Sequence, residues 1–121
     1  MRFVVPELVK IELAGGDWIE VKKELTVGEE KRYRTASLRR TYNVGKGDEE
    51  LQIDWGLMAF ARVEAYLVNW SAPQPVSRSA IEGLASEDFE IIDGAIQTHI
   101  EALTQEKKAP TGTPTLITSV A

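Results

Sequence analysis

The run Trp55-Gly56-Leu57-Met58-Ala59-Phe60-Ala61-Arg62-Val63-Glu64-Ala65-Tyr66-Leu67-Val68-Asn69-Trp70 is apolar on almost every face, and only Arg62 and Glu64 carry charge. A helix that is greasy all round has no side to give to solvent, so it belongs at the centre of a domain. The expectation is a helix over about 54–70, capped by Asp54, with a compact helical domain wrapped around it. The run is shorter than the ~20 residues that span a bilayer, and charge at mid-block is costly in lipid. No membrane span is expected.

Toward the N-terminus, Leu8-Val9-Lys10-Ile11-Glu12-Leu13 alternates apolar and charged residues, and Trp18-Ile19-Glu20-Val21-Lys22 does so less cleanly. Ala14-Gly15-Gly16-Asp17 lies between them, and Gly and Asp tolerate the positive φ of a tight turn. This predicts a short antiparallel hairpin over 8–23. Two strands alone are marginal, so they must lean on helices or pair with another chain. Thr26-Val27-Gly28-Glu29 has the spacing of a capping box. A helix over about 27–41 should follow, with Tyr33, Ala36, Ser37 and Leu38 inward. Lys31, Arg32, Arg34, Arg39 and Arg40 make that helix basic.

Asn43-Val44-Gly45-Lys46-Gly47-Asp48 is a loop by composition. On the C-terminal side of the apolar run, Pro73 and Pro75 make a turn and a short helix is expected over 78–84. Ser86 then caps a longer helix over 87–107. Phe89, Ile92, Ile96, Ile100 and Leu103 recur at spacings of three and four along one stripe of it. Gly94 inside that helix is unfavourable by up to ~1 kcal/mol relative to Ala. From Ala109 the pattern stops, and 109–121 is expected to be a flexible tail. Its segment Thr115-Leu116-Ile117-Thr118-Ser119-Val120 is β-prone and suited to a partner's sheet edge.

The chain has 121 residues, which suits one domain spanning 1–108 plus the tail. It contains no Cys, which excludes disulfides, thiol chemistry and thiolate metal sites. The formal net charge of −5 disfavours nucleic-acid binding, where phosphate neutralisation supplies the affinity. Pro6 breaks the apolar start Met1-Arg2-Phe3-Val4-Val5 early, unlike a secretion signal. A soluble cytoplasmic protein is the expectation.

Residues for catalysis do not converge. His99 is the only histidine. It lies on or beside the apolar stripe of the last helix and reads as a half-buried structural residue, because metal sites need three or four ligands. Ser86, Asp93 and His99 share one helix, which denies a serine the exposed mount that a triad requires. Glu29-Glu30, Glu49-Glu50 and Glu87-Asp88 read as solvated charges, and Gly45-Lys46-Gly47 lacks phosphate-loop spacing. The arginine cluster either meets phosphate or an acidic partner, or is simply a solvated face. Of the three tryptophans, Trp18 beside the hairpin turn is the one expected to be exposed, and Trp is enriched in interface hot spots.

Four motifs, in order, carry a family resemblance: Gly16-Asp17-Trp18-Ile19-Glu20-Val21-Lys22; Leu25-Thr26-x-Gly28-Glu29; Tyr66-Leu67-Val68-x-Trp70-Ser71; and Ser86-Glu87-Asp88-Phe89-x-x-Ile92-Asp93-x-Ala95-Ile96-x-x-His99-Ile100. In this the chain, over roughly 11–107, resembles the small tail assembly chaperones of long-tailed phages and prophages. The resemblance implies a non-enzymatic protein of the host cytoplasm, without cofactor or metal. It would coat the tape-measure protein, keep its hydrophobic helices soluble during tail morphogenesis, and self-associate. Relatives of that kind are largely helical, so the hairpin is a departure.

The sequence therefore predicts a mostly α domain with a short N-terminal β-hairpin, an α+β chain. Candidate partner contacts are Trp18, Arg32, Arg34, Arg39, Arg40, Leu116 and Ile117. Two competing expectations are a structural virion subunit of the tail tube, connector or baseplate, and a small nucleic-acid-binding regulator acting through the arginines.

Overall fold

The computed structural model describes residues 1–43 and 48–108, and for 39–43 and 48–53 the backbone pairing alone. The glycine turn does what its composition demands. Gly15 and Gly16 take φ of +78° and +84°, a region that side chains with a Cβ rarely enter. The turn joins β1 (Leu8–Glu12) to β2 (Trp18–Lys22) through one 3₁₀ turn. The register sets Val9 against Val21 and Ile11 against Ile19. Ile19 and Val21 are fully buried, while Val9 and Ile11 pack half-buried beside them.

The apolar run is divided between two elements. α2 (Trp55–Tyr66) stops at Tyr66, and β5 (Leu67–Trp70) continues as a strand, where one helix was expected over 54–70. β5 pairs antiparallel with β2, with Ile19 opposite Trp70 and a bulge between Glu20 and Val21. The sheet order is β1-β2-β5. The physical reason is the marginal hairpin: a third strand gives β2 a partner on each side and buries Leu67 against it. Nor is α2 enclosed on every side. Ala61, Val63 and Tyr66 are buried, but Trp55 is 71% and Leu57 45% exposed.

α1 (Val27–Ala36) begins with the capping box: Glu29 N–H donates to Thr26 Oγ1 at 3.2 Å and Thr26 N–H donates to Glu29 Oε1 at 2.9 Å. The helix ends at Ala36, well short of the expected 41. Ser37 is buried and donates its hydroxyl to the Arg34 carbonyl at 2.6 Å. Of the four residues expected inward, Ser37 is buried and Tyr33 half-buried, while Ala36 and Leu38 are exposed. The chain then forms β3 (Leu38–Asn43), paired antiparallel with β4 (Asp48–Ile53) in a separate two-stranded sheet. Arg39 and Arg40 therefore stand in a strand, opposite Gln52 and Leu51. Local cross-strand pairing has overridden the modest helix preference of these residues. Of the expected loop over 43–48, Asn43 and Asp48 close the strand pairing, and 44–47 lie outside the described residues.

Asp54 caps α2, accepting from Leu57 N–H at 3.0 Å. Ser77 caps the short α3 (Arg78–Glu82) in the same way. α4 (Ser86–Lys108) carries the apolar stripe. Ile92 and Ile96 are buried, and Phe89, Ile100 and Leu103 are half-buried. The core is one cluster of Ile19, Val21, Leu25, Val63, Tyr66, Leu67, Ile81, Ile92 and Ile96, between the three-stranded sheet and the helices. A Cβ added at Gly94 would meet nothing within 4 Å, so close helix packing does not account for that glycine. The result is a mixed α+β domain. Among the described residues no helix is long and apolar enough to cross a membrane.

Candidate functional site

Three helices leave a trough between them. The helical period places Leu57, Phe60, Ala61 and Glu64 along one side of α2, and α4 contributes Ser86, Phe89 and Glu90 from its first two turns. α3 supplies Arg78, Ile81 and Glu82, and Leu84 follows in the connection. The trough has a volume of about 770 Å³, at the upper end of the ~300–1,000 Å³ typical of small-molecule sites. It is partly open and not enclosed, so a segment of another chain can reach its lining.

Its floor is apolar and ordered by aromatic contact. The Phe60 and Phe89 rings stack with centroids 6.2 Å apart and planes 12° from parallel. The Arg78 guanidinium lies over Phe60 at 5.9 Å. That same guanidinium grips Glu64 with two hydrogen bonds, Nε to Oε2 at 3.0 Å and Nη2 to Oε1 at 2.9 Å. Glu82 and Glu90 make no hydrogen bond or ion pair with a side chain among the described residues. Leu57, which lines the trough, and Trp55, two residues before it, are exposed.

A second, smaller pocket of about 170 Å³ lies between the hairpin turn and α4 and shares Leu84 with the trough. Trp18 and Trp70 line it with Leu13, Asp88 and Ile91. Trp18 is half-buried, with the Lys10 ammonium 4.9 Å from its ring centroid, and the Trp18 backbone N–H donates to Ser71 Oγ at 3.1 Å. The most exposed tryptophan is Trp55, not Trp18 as the sequence suggested; a helix start carries less covering structure than a hairpin turn that folds back on β5.

The other candidate contacts do not gather at either place. Arg32 and Arg34 are exposed on α1, and Arg34 pairs with Glu30 at 3.0 Å one turn earlier. Arg39 and Arg40 follow in β3, so a single basic helix over 27–41 does not form. Leu116 and Ile117 lie outside the described residues. His99 is half-buried, and its Nε2 donates to the Lys23 carbonyl at 2.9 Å, since a carbonyl can only accept. The ring meets Tyr66 edge-on at 6.3 Å. Burial pushes the Tyr66 hydroxyl up to about 12. Asp93 is occupied by Arg62 and Gln97 and does not join His99. Among the described residues no three His, Asp or Glu side chains are grouped to hold a metal ion.

Sequence reasoning missed the trough. The signal was present in the Leu57, Phe60, Glu64 spacing, which puts an apolar patch and a carboxylate on one side of α2. Reading that helix as buried on every face hid it. No protein-family model matches the chain, and no curated protein or solved structure was found to be similar to it.

Proposed function

We propose that this protein is a tail assembly chaperone that holds hydrophobic helical segments of the tape-measure protein in the host cytoplasm until tube subunits enclose them. The observation that supports the reading is the open trough between α2, α3 and α4, with its apolar patch at Phe60 and Phe89. A partner helix can lay its greasy stripe over Phe60 and Phe89 there. The motif resemblance supplies the biological setting, and the trough supplies a way to act. Holding a helix in this manner requires no reacting group and no cofactor.

The test is co-expression with the tape-measure protein of the same phage or prophage. The reading requires a marked rise in soluble tape-measure protein and its co-purification with this chain. Unchanged solubility removes the proposal. A second reading, a structural tail subunit, draws on the exposed Phe3 and Val5 ahead of β1, at 88% and 75% exposure. Mass spectrometry of purified particles separates the two, because a chaperone is absent from them and a structural subunit is abundant.

A further inference from the structure

We infer that the trough selects a basic amphipathic helix: an apolar stripe flanked by lysine or arginine. The inference rests on the holding role proposed above and specifies the chemistry of what is held. Two observations carry it. The floor of Leu57, Phe60, Leu84 and Phe89 is apolar and calls for an apolar stripe at spacings of three and four. The charged rim is unbalanced. It carries three carboxylates, Glu64, Glu82 and Glu90, against the single cation Arg78.

The geometry assigns that imbalance to particular residues. Arg78 is already committed, bonded twice to Glu64 and laid over Phe60. It neutralises Glu64 and leaves Glu82 and Glu90 facing the trough. A neutral helix would leave Glu90 without a partner charge among the described residues and Glu82 with only a share of the pull of Arg78, and an acidic helix would add repulsion. A helix with cations beside its stripe meets a carboxylate from each of two helices, because Glu82 belongs to α3 and Glu90 to α4. Charge pairs at a rim contribute more to selection and to association rate than to raw affinity.

The experiment uses the full chain and two fluorescently labelled synthetic helices with the same leucine stripe, one flanked by lysines and the other by glutamates, followed by anisotropy. The lysine-flanked peptide should bind at least about tenfold more tightly at low salt, and the preference should shrink as salt is raised. The double variant Glu82→Gln/Glu90→Gln, its fold verified by circular dichroism, should bind both peptides alike. Equal binding of the two peptides by the unaltered protein overturns the inference, as does a preference that survives the double variant. If the protein is a dimer that the double variant dissolves, the occupant is a second copy and the inference fails. Co-expression separates this from the chaperone reading. If tape-measure protein is solubilised equally by the double variant and the parent, the charge selection is wrong and the holding role stands. If the peptides discriminate as expected and tape-measure protein stays insoluble, the selection stands and the role is wrong.

Discussion

Arg62 and Asp93 meet across α2 and α4 in a two-pronged ion pair, Nε to Oδ1 at 2.8 Å and Nη2 to Oδ2 at 3.1 Å. Gln97 adds a third hydrogen bond to the carboxylate at 2.8 Å. The two side chains are only 15% and 12% exposed. Hydrogen bonding to Asp93 raises the Arg62 pKa further above its ordinary value, against the opposing effect of burial. The pair explains why a charge interrupts an otherwise apolar run, because Arg62 fixes how α2 sits on α4. Removing one partner strands the other in a poorly solvated place, at a loss of about 3 kcal/mol. Asp93→Leu should therefore destabilise strongly in urea unfolding. The double variant Arg62→Met/Asp93→Leu should recover most of the loss, since a matched apolar pair carries no desolvation penalty.

Glu24 binds both the beginning of the chain and the end of α4. Arg2 Nη2 donates to its carboxylate at 2.8 Å, and the Lys107 ammonium also bonds it. These contacts, Arg2 first, hold the Glu24 pKa down at about 2 against an ordinary 4.5. The folded state therefore takes up this proton less readily than the unfolded chain. The stabilisation is complete above pH 4.5 and is lost as pH falls toward 2. Glu29, lowered by Lys22, acts in the same direction. Thermal unfolding of the parent and Glu24→Gln should differ at pH 7, and the gap should close across that acid window.

Gly94 is free to change. It sits inside α4, and an added Cβ there meets only open space. Gly94→Ala should raise stability by up to about 1 kcal/mol through helix propensity alone. On the same helix, Ile96 has no exposed surface, and Ile96→Ala should lose about 2–5 kcal/mol by leaving a cavity. Urea midpoints of the two variants should move in opposite directions.

Local chemistry was legible where a few adjacent residues decide the outcome. The Gly15-Gly16 turn, the Thr26–Glu29 box, the Asp54 cap and the α4 stripe each follow from short-range spacing. What stayed hidden depends on partners distant in the chain. Leu67-Val68-Asn69-Trp70 is apolar enough for either helix or strand, since periodicity cannot separate the two in so short a run. Its pairing with Ile19 and Val21 decides the matter. Arg39 and Arg40 suit a helix by propensity and became strand residues because 48–53 lay opposite. The trough is hidden for the same reason: Phe60 and Phe89 are 29 positions apart in sequence and meet only after α2 and α4 pack.

Leu57 permits binding to be separated from folding. It lines the trough, is 45% exposed and is the third residue of α2, where its backbone N–H already donates to the Asp54 cap. An acidic side chain there suits the positive end of the helix dipole, so Leu57→Asp should change stability by no more than about 0.5 kcal/mol. The same substitution places a charge on the apolar floor where a partner helix would rest. Affinity for the lysine-flanked peptide should fall about tenfold or more, because the lost apolar contact lies beneath the stripe and not at the rim. Urea unfolding paired with peptide anisotropy reads both quantities. A variant that binds as well as the parent would mean that partner helices rest elsewhere on this domain.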